Sequence, residues 1–468
     1  MQFKRLARAL LREGVEITQD GPVYKIRRAS HDGPAAEILL PEGFPLETKA
    51  VKQLAAFASV RHPAGGRVHA ACATPDFHPG PVVPVGSVVE TVDLVIPQAI
   101  GTDINCGMRL DLVDVTVDQF LARKEELVEL LRGDLLLGTR DLPMTTSTLR
   151  AIFRDGAYGW EEELAKNPMG LMARVCLGMM AIEAKSSIWH CGSFTADTKW
   201  VRDRLSDRDV VRDPDLGTLG GGNHFVEIQV LEEIFDRGTL HHWGWDLKVG
   251  QLAFMIHTGS RSVGKDIGVR WSEIAKHRWP KGHKWPEVFA LYGDDAHEYM
   301  GAMGCAANFA AVNRVILAEM VRDRFRQVHG DVGVSCFYDV PHNIVTYEGD
   351  GFVHRKGSTP AFEGQPVLVP GSMGASSYVM CGKANERFLF SATHGAGRAR
   401  SRFEMTRKGR PKVDLGLNGV ECVTLREERM YEEAPVAYKA IEPIVKIQTE
   451  YGLASPVARL RPLLTFKG

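Results

Sequence analysis

Phe254-Met-Ile-His-Thr-Gly-Ser-Arg-Ser-Val-Gly264 opens as a short apolar run, stops at His257 and breaks into a turn of glycine, serine and arginine. The run reads as a buried strand. The turn leaves backbone N–H groups able to hold an anion. Strands beside polar turns recur along the chain. Gly217-Thr-Leu-Gly-Gly-Gly-Asn-His-Phe-Val-Glu-Ile228 runs the pattern in reverse, with three glycines before Asn223 and His224 and then a strand. Consecutive glycines cost chain entropy, so this backbone bends sharply or touches a ligand. Val340-Pro-His-Asn-Ile-Val345 and Val367-Leu-Val-Pro-Gly-Ser-Met-Gly-Ala-Ser-Ser377 are further cases. No internal repeat, low-complexity tract or long linker separates them. The pattern suits one compact domain that gathers distant loops around a single site.

Helical periodicity fills the intervals. Leu6, Leu10 and Leu11 mark a short amphipathic helix, and strands are expected over 23–27 and 37–40. Ala50, Leu54, Ala55 and Ala58 share a face of a helix over 47–60. Thr116 and Gln119 fit a capping box that starts a helix running to Gly133. The clearest long helix spans 304–328, with Phe309, Val312, Ile316 and Met320 on its buried side. Arg314, Arg322, Arg324 and Arg326 then fall on or near exposed sides, as an RNA-facing or a merely solvated surface. Residues 403–450 read as basic, partly helical scaffold.

The chain has 468 residues, 44% hydrophobic and 25% charged, which is ample for a large core. Its net charge of −1 provides no global field for nucleic acid but permits a local basic groove. Eight scattered cysteines without paired spacing point to reduced thiols and a cytoplasmic setting. The first residues lack the pattern of a secretion signal. No uninterrupted apolar run reaches the roughly 18 residues of a membrane span.

The chemistry-bearing residues cluster in the turns. Ser391-Ala-Thr-His-Gly-Ala-Gly-Arg-Ala-Arg-Ser-Arg402 sets one imidazole, His394, before two glycines and three arginines. It reads as a histidine beside a phosphate cradle, or as a surface turn. Thr74-Pro-Asp-Phe-His-Pro-Gly80 and Gly101-Thr-Asp-Ile-Asn-Cys-Gly-Met108 are polar clusters on either side of the β-branched runs at 82–88 and 92–96. Asp103 and Cys106 suit a divalent ion of intermediate softness, or are a capping aspartate beside an inert buried thiol. Asn223 and Glu227 are of the kind that read a nucleobase edge or a ribose. His354-Arg-Lys-Gly-Ser-Thr-Pro-Ala361 is a basic, turn-like candidate for phosphate or RNA. Residues 270–300 are rich in Trp, His and Lys, for stacking on bases or for packing. The tract 203–215 reads as a solvated loop. Lys467, one residue from the end, is by position an expected frayed side chain.

Taken together and in order, Asp103-Ile-Asn-Cys-Gly-Met108, Gly220-Gly-Gly-Asn-His-Phe225, His257-Thr-Gly-Ser-Arg261, His342-Asn343, His354-Arg-Lys-Gly357, Pro370-Gly-Ser-Met-Gly374, His394-Gly-Ala-Gly-Arg398 and Lys467-Gly468 resemble the RNA-splicing ligase RtcB family from about residue 45 onward. The resemblance implies that family's mixed α+β fold. It implies one catalytic domain over 1–468, with 1–45 its least covered part, whose sheets gather loops around a central metal site. The implied activity is a GTP- and Mn²⁺-dependent RNA ligase of tRNA splicing or RNA repair. Such an enzyme joins a 2′,3′-cyclic phosphate or 3′-phosphate end to a 5′-hydroxyl end, in many members with the activating protein archease. Carried over by position, two Mn²⁺ ions would be held by Asp103, Cys106, His224, His257 and His342, with the Cys106 thiolate bridging. GTP would contact Asn223, His224, Phe225, Val226 and Glu227, then His342 and Asn343. It would further contact Pro370, Gly371, Ser372, Met373, Ser377, His394, Gly395, Ala396, Gly397 and Lys467. His394 would be the nucleophile that becomes guanylylated. A carboxylate such as Asp76 is expected to hold its useful tautomer.

The sequence departs from the family pattern at Asn105, where glycine is usual, and at Thr258, Ser262-Val263 and Thr393. Pro360 stands where an arginine is common, which bears on RNA contacts more than on chemistry.

Overall fold

The apolar run ending at His257 forms the strand Gln251–Thr258, nearly all buried. In the computed structural model, which describes residues 2–31, 33–406 and 414–468, it lies inside an eight-stranded sheet. The order is Val334–Pro341, Gly107–Thr116, Gln251–Thr258, Phe225–Ile234, Ala454–Lys467, Ser377–Gly382, Pro366–Val369, with Glu421–Thr424 pairing off Ala454–Lys467. All neighbours are antiparallel except that last pair. Register pairs Gly107 with both Thr258 and Pro341, Phe225 with His257, and Val226 with Phe466. Antiparallel pairing sets strand starts beside strand ends. The turns before Gly107 and Phe225 therefore meet those after Thr258 and Pro341 at one end of the sheet.

A second sheet has seven strands in the order Val15–Asp20, Val23–Arg28, Ala36–Leu39, Arg67–His78, Val85–Val92, Gly351–Lys356, Asn343–Glu348. Residues 1–45, the part least covered by resemblance, supply its first three strands and the helix Gln2–Arg12. His342 is the single residue between the last strand of one sheet, Val334–Pro341, and Asn343–Glu348 of the other. The architecture is a mixed α/β domain with several sheets.

The long helix spans Asp294–His329, ten residues more at its start than the periodicity suggested. Phe325 stacks on Phe254 of the central sheet, with ring centroids 6.3 Å apart. By length and composition the helix could cross a membrane, yet 89% of its most apolar window is buried inside the protein. It is a core helix, buried on every side from Ala302 to Arg322.

That burial corrects the reading of its arginines. Arg314 is 1% exposed and forks onto Asp339 at 2.8 Å. Arg322 is buried among Asp111, Glu183 and Glu319. Neither faces RNA or solvent. Buried charge demands a partner, and both have found one. The capping box at Thr116 forms, but the helix breaks at Arg123 into Val117–Ala122 and Lys124–Arg132. The polar cluster 74–80 is largely strand. It belongs to Arg67–His78, whose register slips between Ala73 and His78. Residues 354–361 are also strand and almost wholly buried. His354 accepts from the Ile96 N–H at 2.9 Å, and Arg355 pairs with Glu348 at 2.5 Å. Pro360 is buried too. In the tract 203–215, Arg204 pairs with Asp215 at 2.9 Å. Within the scaffold expected over 403–450, residues 407–413 lie outside the described residues.

Candidate active site

The convergence of turns at the end of the eight-stranded sheet brings three kinds of donor atom together. Cys106 Sγ lies 3.3 Å from His224 Nε2 and 3.2 Å from His257 Nε2. His224 Nε2 is 3.0 Å from Asp103 Oδ2, and His257 Nε2 is 3.3 Å from His342 Nε2. These atoms form two groups, Asp103/Cys106/His224 and Cys106/His257/His342, that share the thiol. Within each group every donor lies within 4.8 Å of the others. All five candidate ligands expected from the sequence are thus brought together.

Their protonation argues for cations. His224 Nδ1 donates to the Leu219 carbonyl at 3.0 Å, which turns Nε2 toward the cluster. Nε2 faces a carboxylate oxygen and a sulfur, and acceptors in contact need a proton or a cation between them. Burial first, then neighbouring imidazoles, holds His257 and His342 well below the usual histidine range, so both rings are neutral and able to ligate. Burial and then the Asp103 charge push the Cys106 thiol well up, so a thiolate there requires a cation beside it. Loss of water raises Asp103, but His224 and the Cys106 hydrogen bond outweigh it and keep the carboxylate ionised. A carboxylate, a thiolate and three imidazoles fit divalent ions of intermediate softness.

The backbone is shaped to permit this. Asn105 takes φ +53, the left-handed conformation that glycine supplies in the family pattern. Its amide donates to the Ala307 carbonyl at 2.6 Å, which offsets the cost. A Cβ on Gly259 would collide with Asp103 Oδ1. The core helix ties the loops down. Asn313 accepts from the Gly217 N–H at 2.7 Å and donates to the Gly259 carbonyl at 3.3 Å. Arg314 donates to the carbonyls of Asn105 at 2.7 Å and Thr258 at 3.3 Å. Sequence reasoning missed this role. The available signal was polar residues, Asn308, Asn313 and Arg314 among them, inside a long and otherwise largely apolar helical stretch.

Beside the donor cluster opens a cavity of about 790 Å³. His394 lines it, its ring centroid 4.6 Å from that of His342. His394 Nδ1 lies 2.5 Å from Asp76 Oδ2, and Asp76 also accepts from Thr74 Oγ1 at 2.6 Å. The register slip in Arg67–His78 delivers Asp76 to this point, a common use of bulges near active sites. Burial would raise its pKa, but the charge and hydrogen bond of His394, with Thr74 and Thr393, pull it below the usual range. A buried carboxylate that accepts from Nδ1 leaves Nε2 of a neutral ring with a lone pair.

Among the expected nucleotide contacts, Asn223, Phe225, Glu227, His342, Asn343, Pro370 through Met373, His394 through Gly397 and Lys467 all line the cavity. His224 sits in the donor cluster behind it. Val226 is fully buried in the strand between Phe225 and Glu227 and does not line it. Ser377 lies one layer back, accepting from Gln229 Nε2 at 3.0 Å and from the Gly371 N–H at 3.1 Å. Asn343 ties the floor, donating to the Asp103 carbonyl at 3.3 Å and accepting from the Gly357 N–H at 2.9 Å. Lys467 is not frayed. It ends the strand Ala454–Lys467, is 3% exposed and sits 5.5 Å from the centre of the Phe225 ring. Of the three arginines after His394, Arg398 and Arg402 bond to the buried Glu433 at 3.0 and 2.8 Å. Lys356, on the cavity wall, donates to the Ile100 carbonyl at 2.7 Å. Lys356 falls in the basic segment 354–361 expected to meet phosphate or RNA, whereas Glu433 carries no sequence signal that singles it out.

The family model described as "tRNA-splicing ligase RtcB" matches residues 53–468. The chain belongs to the RtcB family. It is 33% identical over 444 residues to the tRNA-splicing ligase RtcB of Thermococcus kodakarensis, covering 84% of this chain and 86% of that protein. It is 33% identical over 471 residues to the tRNA-splicing ligase RtcB of Archaeoglobus fulgidus, covering 90% and 92%. The Pyrobaculum aerophilum RtcB is 34% identical over 443 residues, with 84% and 87% covered. The RtcB match takes in every residue of the donor cluster, His394, Asp76 and the cavity lining apart from Glu47 and Lys49.

Proposed function

We propose that this protein is a GTP- and Mn²⁺-dependent RNA ligase of tRNA splicing or RNA repair. It joins RNA 2′,3′-cyclic phosphate or 3′-phosphate ends to 5′-hydroxyl ends. The observation that carries the reading is one imidazole, held through Nδ1 by a buried carboxylate, on the wall of a cavity that also exposes two linked donor groups. Asp103, Cys106 and His224 would hold one ion and Cys106, His257 and His342 the other, and the ions would neutralise phosphate charge in the cavity.

Asp76 keeps the proton of His394 on Nδ1, so Nε2 attacks the α-phosphorus of GTP and pyrophosphate leaves. The guanylyl group passes from His394 to the RNA 3′-phosphate. Attack by the 5′-hydroxyl on that phosphate then releases GMP and closes the strand. A cyclic phosphate is first opened by water. Glu227 and Asn223 offer a carboxylate and an amide to a guanine edge, and Lys467 offers charge beside them. The eight cysteines are all free thiols, which supports a reducing, cytoplasmic setting.

The test is joining of a 2′,3′-cyclic-phosphate RNA to a 5′-hydroxyl RNA with GTP and Mn²⁺. Wild type is expected to form product and to carry acid-labile label from α-labelled GTP; His394→Ala does neither. Release of phosphate without label would assign the cluster to a phosphoesterase instead.

A further inference from the structure

Residues 281–285, Lys-Gly-His-Lys-Trp, are five consecutive exposed residues. Trp285 is 67% exposed, although tryptophan normally seeks burial. Its position is nevertheless fixed. The ring stands edge-on to Phe289 at 5.3 Å, and Phe289 in turn packs edge-on against Trp279 at 5.6 Å. Trp279 meets His62, which stacks on Tyr292 at 5.6 Å. Trp285 therefore presents an aromatic surface to solvent from a packed aromatic base. Behind the loop, Glu287 and Val288 line a second hollow of about 630 Å³, which shares Lys49 and Pro81 with the site cavity. The carboxylate of that wall, Glu287, is paired with Arg28, and Lys52 with Glu13. Lys49, Lys281 and Lys284 remain as exposed cations along the way.

We infer that this loop is a stacking platform for single-stranded RNA leading into the site, with Trp285 under one base and Lys281, Lys284 and Lys49 along the phosphates. A polyanion with planar bases is the partner that matches an exposed ring flanked by cations and continuous with the cavity. The inference rests on the proposed ligase reading and adds to it where the flanking strand runs.

The test measures binding of the full chain to a 20-nucleotide single-stranded RNA ending in a 2′,3′-cyclic phosphate, and in parallel label uptake from GTP. Trp285→Ala is expected to weaken RNA binding about tenfold. Trp285→Phe should stay within about twofold of wild type. Both should take up label as wild type does. RNA of three nucleotides should bind equally to all. Wild-type affinity in Trp285→Ala overturns the inference and leaves the loop to a protein partner. An equal loss with three nucleotides also overturns it, by moving Trp285 into the site itself. A wild-type protein that takes up no label and joins no RNA refutes the ligase reading, a result distinct from either.

Discussion

Replacing Asp76 by asparagine isolates the contact on which the proposed nucleophile depends. The carboxylate is fully buried, takes Thr74 Oγ1 on one oxygen and His394 Nδ1 on the other, and has the shape of the amide that would replace it. Hydrogen bonds to a charged group contribute about 1.5–3 kcal/mol. At about 1.4 kcal/mol per decade, losing that contribution slows His394 guanylylation roughly ten- to hundredfold. An amide nitrogen placed toward His394 adds to the loss. It donates to Nδ1, moves the ring proton to Nε2 and removes the attacking lone pair. The assay is the single-turnover rate of label transfer from α-labelled GTP to protein, beside metal content by elemental analysis. Asp76 supplies no atom to the donor cluster, so bound metal should be unchanged. Label uptake at the wild-type rate would refute the reasoning. Loss of metal in proportion to loss of label would make Asp76 a structural support, not a positioning residue for His394.

Removing Arg314 leaves Asp339 as an unpaired buried charge and two loop carbonyls without their donor, so Arg314→Leu should cost about 3–5 kcal/mol. Denaturant unfolding checks this, and Arg314→Leu/Asp339→Leu should recover part of the loss; a single variant as stable as wild type removes the clamp from the account. Burial pushes Glu227 up to about 7, against hydrogen bonds from Thr465 and Gln229 and the charge of Lys467. Its folded-state pKa lies above the unfolded one, so the folded chain holds that proton longer. Stability of the nucleotide-free protein should fall by on the order of 3 kcal/mol between about pH 4.5 and 7 relative to Glu227→Gln. If the carboxylate takes guanine N–H groups, GTP affinity should rise as pH passes 7 in wild type and stay flat in Glu227→Gln; calorimetric titration across pH 6–8 decides it.

The periodicities that sequence reading handles well are local ones. The capping box at Thr116, the helix around Ala50–Ala58 and the strand ending at His257 follow from neighbours within a few residues, and all three are present. The ordered motifs also carried the family. Long-range partners were not legible. Arg314 and Arg322 looked exposed because a charged side chain's partner is named only by the fold, and here Asp339 and Asp111 lie 25 and 211 residues away. Likewise nothing local marks 74–80 as strand, because Pro75 and Asp76 have low strand propensity, and only the slip against Val85–Val92 shows why they are there.

The residues of the candidate site, as chemical types, were determined by the sequence alone: one imidazole among glycines, and a thiol, a carboxylate and three more imidazoles in polar turns. Their meeting was decided by antiparallel register, which sets the start of one strand beside the end of the next. That register puts Cys106, His224, His257 and His342 within a few ångströms, although up to 236 residues separate them. Spacing along a chain carries no information about which strands will be neighbours, because pairing is a property of the whole sheet.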